Sequence, residues 1–223
     1  MSVIAESIRE IRATLPKGVE LLCVSKTHPK EYIEEAYSYG ERHFAENKVQ
    51  EMTAKAEALP KDIKWHMIGH LQSNKVKYIA SYVYMIHSVD SLKLLEIINK
   101  EALKHNRKIK CLLQVHVAQE ESKQGFTPEE AFELLTDEFI ALHPHIRICG
   151  VMGMASLTED ETKIRTEFQA IKKTFERLKD EVFDGCEYFC EVSMGMSGDY
   201  PIAIEEGATI VRIGSSIFGN RVY

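Results

Sequence analysis

Residues Glu20-Leu21-Leu22-Cys23-Val24-Ser25-Lys26-Thr27-His28-Pro29 form a short apolar run followed by a lysine and a proline. The apolar run is typical of a buried parallel strand, and the proline suits the first turn of a helix. An open doubly wound sheet normally has a glycine-rich turn after its first strand, and this stretch has none. It therefore favours a closed barrel over that open sheet.

Further strand-like runs alternate with segments of helical spacing, such as Ile164, Phe168 and Ile171. Strands that alternate with helices pair in parallel through right-handed crossovers, and eight such units close into a barrel. We predict an α/β protein, a single (β/α)8 TIM barrel in one domain over residues 1–223, with an extra N-terminal helix over Ile4–Leu15. The predicted strands are Glu20–Ser25, Arg42–Ala45, Lys64–Ile68, Val83–Val89, Lys110–Val117, Arg147–Met152, Tyr188–Val192 and Thr209–Ile213.

Helix boundaries carry matching signals. Thr127 with Glu130 and Thr158 with Glu161 have the spacing of capping boxes, which predicts helix starts at both places. Gly40 can end the helix that Pro29 opens.

Composition excludes several classes of protein. The chain has 223 residues, of which 44% are hydrophobic and 28% charged, as in ordinary globular proteins. Its net charge of −6 argues against nucleic acid as a partner. No run is apolar over a membrane-spanning length, so we expect no membrane association and a cytoplasmic location. The five cysteines lack a C-x-x-C pair, and the nine histidines lack a metal-binding spacing, so we predict neither disulfides nor a metal site.

Lys26 is the first candidate for chemistry. In a barrel of this kind ligands bind at the carboxyl ends of the strands, and Lys26 directly follows the first predicted strand. Burial there would penalise the charged ammonium and leave a neutral amine able to condense with an aldehyde. A solvated or phosphate-pairing lysine is the alternative.

The loops after the last two strands are candidates for a phosphate cradle. Ser193 begins a glycine-containing loop, and Gly214 and Ser215 follow the eighth strand, where backbone N–H groups can face an anion. Arg212 lies two residues before Gly214, so its side chain points to the same side of the strand. It can only donate hydrogen bonds, either to a ligand in the mouth of the barrel or within a salt bridge.

At these residues the sequence resembles the pyridoxal phosphate homeostasis protein family, which is similar to a stand-alone alanine racemase barrel. The resemblance extends from about Leu21 to Gly219. It depends on Val24-Ser25-Lys26-Thr27, Glu46-Asn47, His66-x-Ile68-Gly69-His70-Leu71-Gln72-Ser73-Asn74-Lys75, Gly150-x-Met152-Gly153-Met154, Ser193-Met194-Gly195-Met196-Ser197 and Val211-Arg212-Ile213-Gly214.

The resemblance implies that pyridoxal 5′-phosphate (PLP) is the cofactor and that Lys26 forms a Schiff base with it. It further implies that Arg212 meets the pyridine nitrogen and that Asn47 approaches the ring. The phosphate would be bound by Ser193, Gly214 and Ser215. Ala45 stands where the family commonly has glycine, and Ser215 where threonine is frequent.

Three functions fit this reading. The first is a protein of vitamin B6 homeostasis that holds PLP without catalytic turnover and can pass it to PLP-dependent apoenzymes. The others are a racemase-like PLP enzyme and a Schiff-base aldolase. We favour the first and assign no catalytic residue, because no second base or acid/base dyad is evident. We expect Met152, Met154, Met194 and Met196 to pack the top of the barrel.

Overall fold

The computed structural model describes residues 2–117 and 124–219. Eight strands pair in parallel, each with its neighbours in chain order, and the last pairs with the first to close a barrel. This confirms the predicted (β/α)8 barrel. The strands are β1 (Glu20–Val24), β2 (His43–Glu46), β3 (Lys64–Met67), β4 (Met85–Val89), β5 (Ile109–Gln114), β6 (Ile146–Met152), β7 (Glu191–Ser193) and β8 (Ile210–Ile213).

Helices fill the connections between the strands. They are α1 (Val3–Thr14), α2 (Lys30–Ser38), α3 (Val49–Ala58), α4 (Val76–Ile79), α5 (Leu92–Lys104), α6 (Pro128–Leu134), α7 (Asp137–Leu142), α8 (Glu161–Glu181), α9 (Tyr200–Glu205) and α10 (Ser215–Phe218), with a 3-10 turn over Ser73–Lys75. Among the described residues, no helix has both the length and the apolar character needed to cross a bilayer.

Two hydrophobic cores result from the alternation of side chains along each strand. Leu21 and Cys23 of β1 face outwards into the large core between sheet and helices. Leu22 and Val24 face inwards and pack with residues such as Met85 inside the barrel. Because successive side chains point to opposite faces, one apolar run supplies both cores.

The predicted N-terminal helix is present as α1. Its apolar side chains Ile4, Ile8 and Ile11 are buried, and the helix packs on α2 and α10 outside the barrel. Arg12 near its end forms two hydrogen bonds to the buried carboxylate of Glu41. This pair ties the helix to the loop before β2.

Several local boundaries differ from the sequence expectations: β4 begins two residues later and β5 ends three residues earlier than predicted, and the starts of α8 and β7 also differ. Thr127 and Glu130 form the predicted capping box of α6. The second box is wrong: Asp160 caps α8 through the backbone N–H groups of Thr162 and Lys163, and Thr158 lies outside the helix. An aspartate at the N-cap accepts hydrogen bonds at least as well as threonine, so it displaces the start by two residues. Strand β7 begins at Glu191, three residues later than predicted.

Candidate functional site

A cavity of about 360 Å³ opens at the carboxyl ends of the strands. Its walls include five of the six residues predicted from the sequence, namely Lys26, Asn47, Arg212, Gly214 and Ser215. They follow β1 and β2 or belong to β8 and the turn after it, which are neighbouring strands in the barrel. Barrel closure therefore brings together residues nearly 190 positions apart in the chain.

Lys26 lies in a tight turn that other side chains hold in place. Thr27 has a φ of 67°, which is unfavourable for a β-branched residue. Its backbone N–H donates to Glu51 Oε1 at 2.7 Å. On the other side of Lys26, the carbonyl oxygen of Ser25 accepts from Lys55 Nζ at 2.9 Å. Both residues that flank Lys26 are thus fixed by side chains of α3.

These contacts belong to a lysine–glutamate cluster formed by Lys55, Glu46 and Glu51. Lys55 Nζ donates to Glu46 Oε1 at 2.8 Å and to Glu51 Oε1 at 2.7 Å, and the Ser25 hydroxyl also donates to Glu46 Oε1. Glu46 is fully buried, and its Oε2 has no hydrogen-bond partner among the described residues. Burial raises the pKa of Glu46 to about 7 because loss of hydration outweighs the attraction of Lys55.

Asn47 can line the cavity because residue 69, which packs against its backbone, is a glycine. A Cβ at Gly69 would lie 2.4 Å from the backbone oxygen of Asn47. The two loops can pack this closely only with glycine at that position. The Gly69 of the quoted motif therefore supports the placement of Asn47.

Arg212 is buried, and its guanidinium is held by acceptors from two neighbouring strands. Nη1 donates to the backbone oxygen of Ser193 at 2.7 Å and to Ser193 Oγ at 2.9 Å, while Nη2 donates to the oxygen of Gly153 at 3.0 Å. Burial lowers the pKa of Arg212 to about 10, and the charge of Asp199 partly offsets this. The side chain remains a cation at neutral pH.

Ser193, the sixth predicted residue, is fully buried and does not line the cavity. Its hydroxyl contacts Arg212 on one side and His87 Nδ1, at 3.0 Å, on the other. His87 continues into a histidine row made of His43, His66 and His87 inside the barrel. Ser193 thus lies behind Arg212 rather than in the cavity wall.

Ser197 lines the cavity although the sequence reading had not selected it. Its hydroxyl accepts a hydrogen bond from the backbone N–H of Gly214 at 3.3 Å and so links the loops after β7 and β8. Gly195, with a φ of 90°, turns the chain between Ser193 and Ser197. Ser193 is the last residue of β7, whereas Ser197 lies in the loop that follows. Ligands of such barrels bind beyond the carboxyl ends of the strands, so the position of Ser197 past the strand end could have identified it from the sequence.

The remaining wall is largely apolar. Met152 is buried and lines the cavity, while Met194 is buried in the core. Met154 and Met196 are exposed at the cavity, so the expectation that they pack the top of the barrel is wrong for these two. His28 also lines the cavity and stacks on Tyr32, with 5.7 Å between ring centroids. A flat, partly apolar ligand with an anionic group would suit this combination of walls.

Comparison with known proteins agrees with the fold. Residues 1–222 match the family model described as "Alanine racemase, N-terminal domain". The chain is 42% identical to the pyridoxal phosphate homeostasis protein of Aquifex aeolicus over 205 residues, which cover 92% of this chain and 88% of the relative.

Two solved structures of PipY from Synechococcus elongatus are similar over the whole barrel. The structure without PLP has a TM-score of 0.90 at 37% identity, and the structure with PLP bound has a TM-score of 0.88 at 36% identity. Each comparison covers 97% of this chain and 100% of PipY. The chain belongs to the alanine racemase N-terminal domain family and to the family of the pyridoxal phosphate homeostasis proteins.

Proposed function

We propose that this chain binds pyridoxal 5′-phosphate on Lys26 and acts in the homeostasis of vitamin B6. The observation that carries the proposal is the single cavity in which Lys26 and Arg212 meet the loops of Gly214 and Ser197. The name of the Aquifex aeolicus relative and the PLP-bound PipY structure support it. Bound PLP supplies an aldehyde for an amine, an aromatic ring and a phosphate dianion.

The residues present fit those three parts of the cofactor. Lys26 supplies the amine that would hold the aldehyde as a Schiff base, and Asn47 would contact the ring. The Arg212 guanidinium can only donate hydrogen bonds. It would therefore donate to the ring nitrogen, which would act as the acceptor, and it would keep its own proton. Ser193 would contribute indirectly, because its oxygen atoms hold the Arg212 guanidinium.

The phosphate would lie at the loops after β7 and β8. The first turn of α10, which begins at Ser215, leaves backbone N–H groups without intrahelical acceptors. Gly214 and the Ser215 and Ser197 hydroxyls border the same part of the cavity. The backbone N–H groups and hydroxyls of these two loops thus favour a dianion there.

We further propose that the protein holds PLP reversibly, without turnover, as one cofactor-binding domain in the cytoplasm that can supply PLP-dependent apoenzymes. Racemase-like chemistry needs a base on each face of the cofactor ring and exclusion of water. Among the described lining residues, the titratable side chains are Lys26, His28 and Arg212. His28 stacks on Tyr32 and packs at a tilt against Phe218, which makes it a component of the wall.

Borohydride reduction tests the binding site. We expect the purified protein to absorb visible light, and peptide mapping after reduction should find the cofactor on Lys26. Lys26→Ala should lose the absorption band, whereas Lys75→Ala, on the 3-10 turn outside the cavity, should keep it. An adduct on another lysine would contradict the assignment.

Exchange of the α-proton of amino acids into deuterated solvent tests the absence of turnover. We expect no exchange above the rate of free PLP for alanine and other amino acids. Exchange on the order of one per second or faster that disappears in Lys26→Ala would instead establish an enzyme, and loss of that exchange in His28→Phe would identify the second base.

A further inference from the structure

The histidine row forms one hydrogen-bonded path across the inside of the barrel. His43 Nδ1 lies 3.0 Å from His66 Nε2, and His66 Nδ1 lies 2.8 Å from His87 Nε2. His87 Nδ1 then lies 3.0 Å from Ser193 Oγ, which accepts from Arg212. The path runs from the start of β2 through β3 and β4 to the ends of β7 and β8.

Each ring of the row carries a single proton. His66 and His87 are buried, and burial, followed by the neighbouring rings and cations, lowers their pKa well below the usual value. A neutral imidazole has one donor and one acceptor nitrogen, so each ring can donate in only one direction along the row.

Arg212 decides that direction. Because a guanidinium only donates, Ser193 Oγ accepts from Arg212, and the only hydrogen of its hydroxyl is left for His87 Nδ1. His87 must then carry its proton on Nε2 and donate to His66. The same step repeats from His66 to His43.

At the opposite end the row meets a competing donor. His43 Nε2 lies 3.1 Å from Lys64 Nζ and 3.9 Å from Glu20 Oε2. A donating Lys64 would favour the reverse order, with protons on Nδ1, and that order would leave the buried Ser193 hydroxyl hydrogen without an acceptor. Lys64 is exposed and can turn to water, whereas Ser193 and Arg212 cannot.

We propose that the histidine row is a hydrogen-bonded relay of fixed direction, with the proton of His43, His66 and His87 on Nε2, that positions Arg212 through Ser193. Its importance for the cofactor depends on the proposed function, because Arg212 lines the cavity. The direction of the relay does not depend on it.

Nitrogen-15 NMR of the histidine rings tests the direction. At pH 7 we expect the Nε2–H tautomer for His43, His66 and His87, with and without added PLP. His143 is an internal control for which the opposite tautomer is expected. Its Nδ1 lies 2.7 Å from the carbonyl oxygen of Phe139, so it must donate from Nδ1. An Nδ1–H tautomer or a cation at any member of the row would overturn the relay.

Two variants separate the ends. Lys64→Met should leave the three tautomers unchanged. Arg212→Gln, whose amide oxygen can accept from Ser193, should let the Nδ1–H form appear. If the histidine tautomers reverse in Lys64→Met, Lys64 sets the direction of the relay and the proposal is contradicted. Unchanged tautomers in Arg212→Gln would also contradict it. If Arg212→Gln does not fold, the wild-type spectrum and Lys64→Met still decide.

The positioning of Arg212 has its own readout. His87→Leu removes the acceptor for the Ser193 hydroxyl and should raise the dissociation constant for PLP about tenfold, the effect of one unsatisfied buried hydrogen bond. His87→Asn offers an amide oxygen near the same place and should restore most of the affinity. Equal affinities for both variants would contradict the role of His87. Failure of wild-type protein to bind PLP would instead refute the proposed function and leave the tautomer result standing.

Discussion

The two basic residues that line the cavity, Lys26 and Arg212, are supported in opposite ways. Beneath Lys26, the support is ionic: Lys55 joins two glutamates and holds the turn through Ser25. Behind Arg212, the support is neutral: a serine and the histidine row satisfy its hydrogen bonds without opposing its charge. Burial first and then the charge of Arg212 lower the pKa of His87, so a charged row there is disfavoured.

The difference shows how burial limits the choice of partner. The lysine–glutamate cluster opens to solvent at Glu51, whose side chain is 23% exposed. Ser193, His87 and Arg212 are buried, and a second charge among them would lose its hydration without gaining a counterion. The ionic support should therefore respond strongly to loss of one partner, and the neutral support more weakly.

The largest effect is expected for Lys55→Met. At pH 8, where Glu46 is ionised, this change leaves the fully buried carboxylate without its cation and should lower the free energy of unfolding by about 3–5 kcal/mol. Denaturant unfolding measures it. Lys104→Met, which removes an exposed partner of Glu101, is the matched control and should change stability by less than about 1 kcal/mol. Similar losses in both variants would contradict the ionic support.

The next effect concerns pH. Burial raises the pKa of Glu46 to about 7 in the folded protein from the ordinary glutamate value of 4.5. Glu46 therefore binds more protons in the folded than in the unfolded state between these values, so its contribution to the free energy of unfolding falls as pH rises through this range. At about 1.4 kcal/mol per pKa unit the change is at most about 3 kcal/mol.

Glu46→Gln should remove this contribution, so the free energy of unfolding should rise more steeply with pH in the variant than in the wild type, and denaturant curves between pH 4.5 and 8 measure the difference. The contribution of the histidine row to the pH dependence of stability has the opposite sign. Burial lowers the pKa of His43 to about 4 from 6.5, so the protein should lose stability on acidification below pH 6.5. His43→Gln should reduce that loss, with the rest contributed by His66 and His87, while leaving the Glu46 effect. If the free energy of unfolding of Glu46→Gln has the same slope against pH as that of the wild type, Glu46 does not make this contribution.

A smaller effect is expected for Ser193→Ala. The change removes one acceptor of Arg212 and the partner of His87 Nδ1, which should cost about 1–3 kcal/mol. Ser38→Ala, at an exposed hydroxyl that donates to the carbonyl of Glu34, is the control and should be near neutral. A loss as large as that of Lys55→Met would mean that the two supports do not differ.

The smallest effect is expected at the exposed end of the histidine row. Lys64→Met should change the free energy of unfolding by about 0.5 kcal/mol or less, because Lys64 can exchange its contact with His43 for water. Thermal unfolding of the two proteins measures it. A large loss of stability would show that the exposed end of the histidine row contributes as much as Ser193.

The barrel and most of its site could be predicted from the sequence because both depend on local order along the chain. Each strand is a short apolar run that a turn and a helix follow, and this order alone puts Lys26, Asn47 and the Gly214 turn at one end of the barrel. The start of α8 was misplaced because Thr158 and Asp160 are both good caps, and only the backbone geometry selects between them.

The supports of the two basic residues were decided by the tertiary structure. His43, His66 and His87 lie on three strands and no sequence motif joins them, and they meet because barrel closure turns each of them inwards. Glu46 and Lys55 are nine residues apart, a spacing that marks no helix face, and they meet across a strand and a helix. The sequence by itself determined which residues end the strands, because that follows from local periodicity. Which polar side chains share a buried site depends on sheet register and closure, and those exist only once the chain has folded.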